Sequence, residues 1–207
     1  MDQREVWDNV GEDWHKFRQH PVSEAMDFLK NKRGLVLDLA CGSGRNFMDV
    51  EGKIIGTDFS ERMLRSAKKN AASKNLDIDL VNADALTLPF KNDIFDAVLF
   101  CSAFQSIKWN RRNEALREIS RVSKKGAELF ISVWNRDQPR FAKAKRESFV
   151  PWKSKSRTYQ RYYYLYSKEE LEALLKKFFK NVKVFGSADK AFGKYSKNIV
   201  ATGRARK

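Results

Sequence analysis

The chain contains 207 residues, of which 42% are hydrophobic and 13% aromatic; this suits one globular domain and excludes a disordered tail. No run reaches the roughly 18 uncharged apolar residues of a membrane span, and the N-terminus lacks an apolar signal core, so we expect an intracellular, cytoplasmic protein. Lys and Arg number 41 against 26 Asp and Glu, a net charge of +15. This excess favours a polyanionic partner such as nucleic acid, although a generally basic surface would also explain it.

The cysteines and histidines do not suggest a metal site. Cys41 and Cys101 are not paired at metal-ligand spacing, and two cysteines are too few for a zinc site or a disulfide framework. We expect both to be small buried thiols in a reducing compartment. His15 and His20 are equally unsupported as metal ligands, so no metal is predicted.

The first 33 residues predict a polar helical lead-in. Val22, Met26 and Leu29 recur at helical spacing, and Ser23 is a candidate N-cap. Strands and helices then alternate along the chain. Short apolar runs predict five strands, at residues 35–40, 53–57, 78–82, 95–101 and 128–134.

Two helices are predicted among these strands. The first covers residues 61–74, with Ser60 as its N-cap, and the second covers residues 111–123, with Leu116 and Ile119 facing inward. Strands that alternate with helices indicate βαβ units and a parallel sheet. Right-handed crossovers make such a sheet doubly wound.

The alternation stops after residue 134. Residues 135–166 are basic and aromatic with little periodicity. A helix is predicted next, at residues 167–179, beginning with a capping box of Ser167 and Glu170. Two further apolar runs, at residues 182–185 and 198–203, predict a closing pair of strands.

The order of elements predicts a Rossmann-like α/β fold in one domain over residues 1–207. Helices are expected on both faces of a doubly wound sheet, which gives three layers, α/β/α. Residues 1–33 form the helical lead-in of this domain, and residues 135–167 form a basic, aromatic, substrate-binding insertion.

The first strand ends in an acidic residue and a glycine-rich turn, Asp38-Leu-Ala40-Cys-Gly42-Ser-Gly44. The glycines let the backbone turn tightly and approach a ligand. A dinucleotide site needs a third glycine three residues later to admit a pyrophosphate, but this chain has Phe47 there. Asp38 would repel a pyrophosphate, whereas it would attract the amino group of a methionine moiety.

Two further acids follow strand ends. Asp58 ends the second strand, where Rossmann-like folds bind a ribose diol, and Asp84 follows the third, where it is placed to contact an adenine edge. The three acids could also be ordinary solvated turn residues, but their order and spacing favour a ligand-binding crevice. Their strand ends meet at one edge of the sheet.

With these motifs the chain resembles the class I S-adenosylmethionine (SAM)-dependent methyltransferases, whose first motif is acid-x-small-x-Gly-x-Gly. Residues 38–44 match it throughout, and the Leu88-Pro89-Phe90 turn and the run of residues 95–98 fall where the class places later motifs. The resemblance implies a seven-stranded class I methyltransferase sheet, mostly parallel with one antiparallel strand, and SAM as cofactor. The predicted cofactor-binding residues are Asp38, Ala40, Gly42, Gly44, Asn46, Asp58, Phe59, Asp84, Ala85 and Cys101.

The segment from residue 135 to 167 carries nine Lys and Arg residues against two acids. Trp152 and several tyrosines are interleaved with that charge. Cations that follow phosphates, together with rings that stack on bases, are typical of single-strand and loop RNA binding. A basic loop whose rings pack on the sheet would have the same composition.

The same segment carries a more specific resemblance. Phe149-Val150-Pro151-Trp152 and Arg161-Tyr162-Tyr163 are similar to the signature of the tRNA wobble-uridine carboxymethyl methyltransferases and their archaeal relatives. This implies esterification of 5-carboxymethyluridine in the anticodon loop of tRNA, and a small zinc-binding activator subunit as a further partner. The predicted substrate-binding residues are Trp14, Trp152, Lys153, Lys155, Arg157 and Tyr162.

One position departs from that family, which usually carries a His pair where this chain has Gln105 and Ser106. A carboxylate acceptor needs no base, because it is already ionised at neutral pH. It does need a cation to hold it, and the predicted catalytic residues are Arg18, Arg161 and Tyr163. Two alternatives stay open: a methyltransferase of small molecules such as quinone precursors, and a SAM-binding subunit without catalysis.

Overall fold

The computed structural model describes residues 2–154, 157–191 and 195–206. The described strands are β1 (Leu35–Leu39), β2 (Lys53–Asp58), β3 (Ile78–Asn82), β4 (Phe95–Cys101), β5 (Ser123–Trp134), β6 (Glu147–Ser154), β7 (Arg157–Tyr164), β8 (Phe179–Gly186), β9 (Lys190–Ala191), β10 (Tyr195–Ser196) and β11 (Asn198–Ala205). The α-helices are α1 (Gln3–Phe17), α2 (Ser23–Leu29), α3 (Glu61–Ser73), α4 (Arg112–Val122) and α5 (Lys168–Leu175).

Seven strands form the central sheet in the order β3-β2-β1-β4-β5-β11-β8. The first five are parallel to one another, and β11 runs antiparallel to both β5 and β8. The predicted fold is therefore confirmed, including its single antiparallel strand. The strand order reverses beside β1, so β1 and β4 form the point at which such sheets bind ligands.

Apolar side chains cover both faces of this sheet. Along β1, Val36 packs on one face with α2 and α3, and Leu37 packs on the other with α4 and α5. Successive side chains of a strand point to opposite faces, so a strand buried on both sides is apolar throughout. The α/β/α layering follows from this.

In the described part of the chain, no helix combines the length and the apolar character that crossing a membrane requires.

Helix starts agree with the sequence prediction at two sites and differ at one. The Ser60 hydroxyl accepts from the Met63 amide at 3.2 Å and caps α3 as predicted. Ser23 is the first residue of α2 rather than its N-cap, which is Val22. The Ser167 hydroxyl accepts from the Glu170 amide at 3.3 Å and caps α5 as predicted. The Glu170 carboxylate, which a capping box would direct to the Ser167 amide, contacts the Tyr164 hydroxyl instead.

The segment predicted to lack periodicity forms an antiparallel hairpin, β6–β7. Its tyrosines are buried, in agreement with the alternative that the rings pack on the sheet, although Tyr162 and Tyr163 also line a cavity. The buried tyrosines of this segment are Tyr159, Tyr162, Tyr163, Tyr164 and Tyr166. One face of β7 packs on the sheet and the other packs on α1, so both faces are covered and the period-2 signal disappears.

The Tyr162 hydroxyl makes one contact within the hairpin and one to the body of the domain. The Tyr162 hydroxyl donates to the Glu147 carboxylate at 2.7 Å and accepts from the Trp109 amide at 3.1 Å. Arg112 lies over the Trp109 ring, with its guanidinium carbon 2.9 Å from the ring centroid. These contacts set the hairpin beside the carboxyl ends of β4 and β5.

Candidate active site

A cavity of about 890 Å³ opens at the carboxyl ends of β1, β2 and β4. The turn after β3, helix α1, the chain between α1 and α2, and β7 complete its wall. The lining includes nine of the ten predicted cofactor-binding residues: Asp38, Ala40, Gly42, Asn46, Asp58, Phe59, Asp84, Ala85 and Cys101. The topology therefore brings the predicted strand-end residues together.

The glycine-rich turn after β1 has an unusual backbone. Ala40, Gly42 and Gly44 have φ values of 53°, 58° and 73°. Gly44 does not line the cavity; a side-chain carbon at this position would overlap the ring of Phe47. Gly44 therefore shapes the turn, and Phe47 occupies the place of the third glycine of a dinucleotide site.

No helix follows this turn. Residues 40–52, all of them described, connect β1 to β2 through turns and irregular structure. A pyrophosphate is bound by the free amides and the dipole at a helix N-terminus. Without that helix the turn lacks the usual anion site, which argues against a dinucleotide cofactor.

Asp38 is a buried carboxylate at the end of β1. It is 2% exposed and lines the cavity, and its Oδ2 atom has no hydrogen-bond partner among the described residues. Burial raises the pKa of Asp38 to about 8, against the opposing charge of Arg45. An unpaired buried carboxylate is costly, so the site favours a cationic ligand group that would pair with it.

Asp58 holds the glycine turn as well as facing the cavity. Its Oδ2 accepts from the Gly42 amide and its Oδ1 from the Ser60 amide, both at 2.9 Å. Burial raises the pKa of Asp58 to about 6, and these hydrogen bonds oppose the rise. Each oxygen retains a second lone pair, so the carboxylate can also accept from ligand hydroxyls.

Asp84, Asn46 and Cys101 are the other predicted cofactor-binding residues whose side chains carry polar atoms. Asp84 lies at the rim, where its Oδ1 accepts from the Leu86 amide at 3.0 Å and Arg4 lies 3.9 Å from its Oδ2. Asn46 accepts from the Val22 amide at 3.1 Å and so ties the turn to α2. Cys101 and Cys41 are free, buried thiols, as predicted.

Four arginines surround one end of the cavity. Arg18 and Arg45 line it, while Arg140 and Arg161 lie near Tyr163, whose hydroxyl accepts from Arg161 at 3.0 Å. Burial raises the pKa of Tyr163 to about 12, although the three nearby arginines oppose this. Within the described part of the chain, none of the four arginines forms an ion pair with a carboxylate.

Arg18 and Arg161 differ in their access to the cavity. Arg18 lines it, and burial together with the charge of Arg45 lowers the Arg18 pKa. Arg161 is 4% exposed and does not line the cavity; its guanidinium lies beside the contacting rings of Trp14 and Trp152, about 5 Å from each centroid. Arg161 therefore acts on the cavity through Tyr163.

The predicted substrate-binding residues divide in the same way. Trp14 and Tyr162 line the cavity, whereas Trp152, Lys153 and Arg157 lie outside its wall, on the hairpin. Lys155 lies outside the described residues.

Many of the residues that line the cavity had not been predicted, among them Arg45, Phe149 and Arg111. Arg45 follows the glycine motif directly, so its position was available as a signal. Phe149, 63% exposed, and Arg111 line the cavity only because the hairpin and α4 fold beside β4. Phe149 begins the Phe149-Val150-Pro151-Trp152 motif, which was a signal for it, whereas no local pattern marks Arg111.

The Asp58 geometry leads to a binding prediction. Asp58→Ala removes a ligand acceptor and also frees the Gly42 amide, so affinity for SAM should fall about 10- to 100-fold, the equivalent of one or two charge-assisted hydrogen bonds. Calorimetry with SAM measures this. Asp79→Ala, which removes an exposed acid of β3 that pairs with Lys53, is the matched control. Equal affinity of Asp58→Ala and the parent protein would contradict the prediction.

Comparison with known sequences gives the family. A methyltransferase-domain model matches residues 36–126. A protein of Encephalitozoon cuniculi (strain GB-M1) named as a methyltransferase is 30% identical over 154 residues, which are 70% of this chain and 70% of the relative. A demethylmenaquinone methyltransferase of Lactococcus lactis is 34% identical over 149 residues, 61% of this chain and 56% of the relative. A mouse protein named for tRNA methyltransferase 9B is 26% identical over 152 residues, 71% of this chain but 32% of its own length.

Solved structures share the fold. A SAM-dependent methyltransferase from Thermotoga maritima aligns with a TM-score of 0.73 at 22% identity, covering 98% of this chain and 99% of that one. A Haloferax volcanii methyltransferase, solved in complex with the Trm112 methyltransferase activator, aligns with a TM-score of 0.72 at 18% identity, covering 100% and 98%. At these identities the likeness concerns the fold alone.

The sheet order, the acid and glycine turn at its switch point, and these relatives define a class of enzyme. The chain belongs to the class I SAM-dependent methyltransferases, and SAM is its cofactor. The cavity fits this cofactor: the unpaired carboxylate of Asp38 suits a ligand ammonium group, and the turn offers no pyrophosphate site.

Proposed function

We propose that the protein is a tRNA methyltransferase that esterifies the carboxymethyl group of 5-carboxymethyluridine at the wobble position. The observation that carries this proposal is the cationic end of the cavity. Arg18 and Arg45 line a space that also contains Asp38. Among the described residues neither arginine forms a close ion pair with a carboxylate, although the charge of Asp38 acts on Arg45 and that of Asp189 acts on Arg18. Cations left unpaired beside the cofactor site suit a substrate that is itself an anion.

The cofactor would occupy the end of the cavity nearest β1 and β2. We assign Asp38 to its amino group, Asp58 to its ribose hydroxyls, and Asp84 and Ala85 to its adenine edge. When bound, SAM supplies a methyl group on a sulfonium sulfur, and its transfer to a carboxylate oxygen forms an ester without moving a proton. The protein therefore has to position and orient, and needs no general base.

Arg18 is the residue assigned to the substrate carboxylate. Its guanidinium can bind both oxygens at once, which fixes the direction of the attacking lone pair. Tyr163 is protonated near neutral pH, since an ordinary tyrosine pKa is near 10 and burial raises this one to about 12, so its hydroxyl can donate to the same group. Arg161 donates to the Tyr163 hydroxyl and is a positioning residue.

The hairpin would carry the RNA. Lys153 and Arg157 are exposed on it and suit phosphate contacts. The rings available for stacking are those outside the core: Phe17, 76% exposed, and Phe149, 63% exposed, with the partly buried Trp152 in edge-on contact with Phe17. The same argument extends to Lys155, on its charge alone.

A small activator subunit completes the proposal. The Haloferax volcanii protein of the same fold was solved with the Trm112 activator. Among the described residues β3 lies at the edge of the sheet and pairs with β2 on one side only. A free edge strand can accept a strand from a partner, and we infer that an activator would add here.

A small-molecule substrate is the second candidate. The observation in its favour is the 34% identity to a demethylmenaquinone methyltransferase. An enzyme of that kind acts on an apolar ring, whereas the cavity described here ends in arginines. Its substrate would also need a base, because a hydroxyl or an activated carbon has to lose a proton.

The pH dependence of methyl transfer separates the two candidates. With saturating SAM and a tRNA anticodon stem–loop that carries 5-carboxymethyluridine, the single-turnover rate should be nearly level from about pH 6 to pH 9, because the acceptor stays ionised. Rapid-quench measurement of labelled methyl incorporation tests this. A rate that rises about tenfold per pH unit, or transfer to quinone precursors but not to RNA, would overturn the proposal.

A further inference from the structure

Gln105 is a buried amide in the cavity wall that the proposed chemistry leaves unused. It lies in the short 3-10 turn Phe104–Ser106 and is 1% exposed. Its Nε2 donates to the carbonyl oxygen of Ser102 at 2.7 Å, while its Oε1 has no hydrogen-bond partner among the described residues. A buried acceptor without a partner is costly and uncommon.

The orientation of this amide is fixed by its surroundings. Ser102 has a φ of 58°, and its amide donates to both the carbonyl oxygen and the hydroxyl of Ser132, each at 3.0 Å. This holds the Ser102 carbonyl in place. A flipped amide would set the Gln105 Oε1 against that carbonyl, so the side chain presents an acceptor and not a donor.

We propose that Gln105 reads the acceptor base by accepting a hydrogen bond from its ring N–H. This inference rests on the proposed function, since the uracil ring has a single donor, at N3, and two carbonyl oxygens. A cytosine ring has a lone pair at N3 instead, and this would face the lone pairs of the Gln105 Oε1. Gln105 is thus a specificity-determining residue that selects uridine over cytidine.

The position of the turn suits this role. The turn packs against β5 and β7, and Phe104 stacks on Tyr166 with ring centroids 5.6 Å apart. Tyr162 and Phe149 line the cavity together with Gln105. A base held among these rings could direct its N3 edge at the Gln105 Oε1, which accepts a hydrogen bond and cannot donate one.

Binding can test this separately from catalysis. In the presence of S-adenosylhomocysteine, two anticodon stem–loops that differ only in 5-carboxymethyluridine or 5-carboxymethylcytidine at the wobble position are titrated with the protein. The parent protein should bind the uridine form at least about 10-fold more tightly, because a mismatched buried hydrogen bond carries such a cost. Gln105→Met, which keeps the length but removes the amide, should reduce the preference to about twofold or less.

The controls separate the possible failures. Ser106→Ala should keep the preference, and unchanged affinity of Gln105→Met for S-adenosylhomocysteine would show that its site is intact. Equal binding of both stem–loops by the parent protein, or a preference that persists in Gln105→Met, would overturn the role of Gln105. A uridine preference without methyl transfer would overturn the proposed reaction and leave the reading of the base standing.

Discussion

Replacing Asp38 by Asn is expected to weaken SAM binding at least about 100-fold at pH 8, since a buried charge pair is lost. The same substitution should raise the thermal stability of the ligand-free protein at that pH. Asp38 is 2% exposed with an unpaired Oδ2, so the empty site holds a carboxylate that is costly to ionise. The residue is therefore expected to favour binding at the expense of stability.

The direction of the pH effect follows from the raised pKa. The Asp38 pKa is about 8 in the folded protein, against an ordinary value near 3.9. Between these values the folded state binds the proton and the unfolded state does not, so this group lowers stability progressively as pH rises from about 4 to 8. The slope is at most about 1.4 kcal/mol per pH unit, and Asp38→Asn removes it.

Two measurements test this prediction. Thermal unfolding without ligand should show that the advantage of Asp38→Asn over the parent protein is larger at pH 8 than at pH 5. Calorimetry should show that SAM affinity of the parent protein rises from pH 6 towards pH 8, as the carboxyl loses its proton. A variant that is less stable than the parent at pH 8, or that binds SAM equally well, would refute the assignment of Asp38.

Arg18→Ala should reduce single-turnover methyl transfer about 100- to 1000-fold while leaving SAM affinity within about threefold, because an orienting contact is lost at the acceptor and not at the cofactor. Arg18 is the cavity-lining member of the cluster formed with Arg140 and Arg161 around Tyr163. Arg18→Lys should recover little activity, since a point charge cannot replace a two-pronged contact.

The Arg18 experiment also separates the two anions that could occupy this site. The first is the substrate carboxylate, and the second is the carboxylate of SAM itself. Arg45 is the arginine expected nearer to the cofactor, because its charge acts on Asp38. Loss of SAM affinity in Arg18→Ala with an unchanged rate at saturating SAM would assign Arg18 to the cofactor and contradict the proposal. Arg33→Ala is the matched control, because Arg33 is exposed, pairs with Glu51 and does not line the cavity.

The sequence by itself determined the sheet and the cofactor end of the cavity. A strand can be recognised from an apolar run of residues that are close together in the sequence. The sequence therefore predicted β1 to β5 within a few residues of their observed bounds. Asp38 and Asp58 both line the cavity, because parallel strands end at one edge of the sheet and residues at their ends therefore lie close together.

Only the tertiary structure decided the substrate end. Strand β7 of the hairpin is buried on both faces, so its sequence does not alternate between apolar and polar residues. Tyrosines expected to face RNA, such as Tyr164, belong to the core. The place of Arg161 beside Trp14, and the packing of the turn around Gln105 against β7, depend on contacts between residues more than 40 positions apart in the sequence. Residue type predicts which charges are present, but packing decides which of them reach the cavity and which are enclosed by rings.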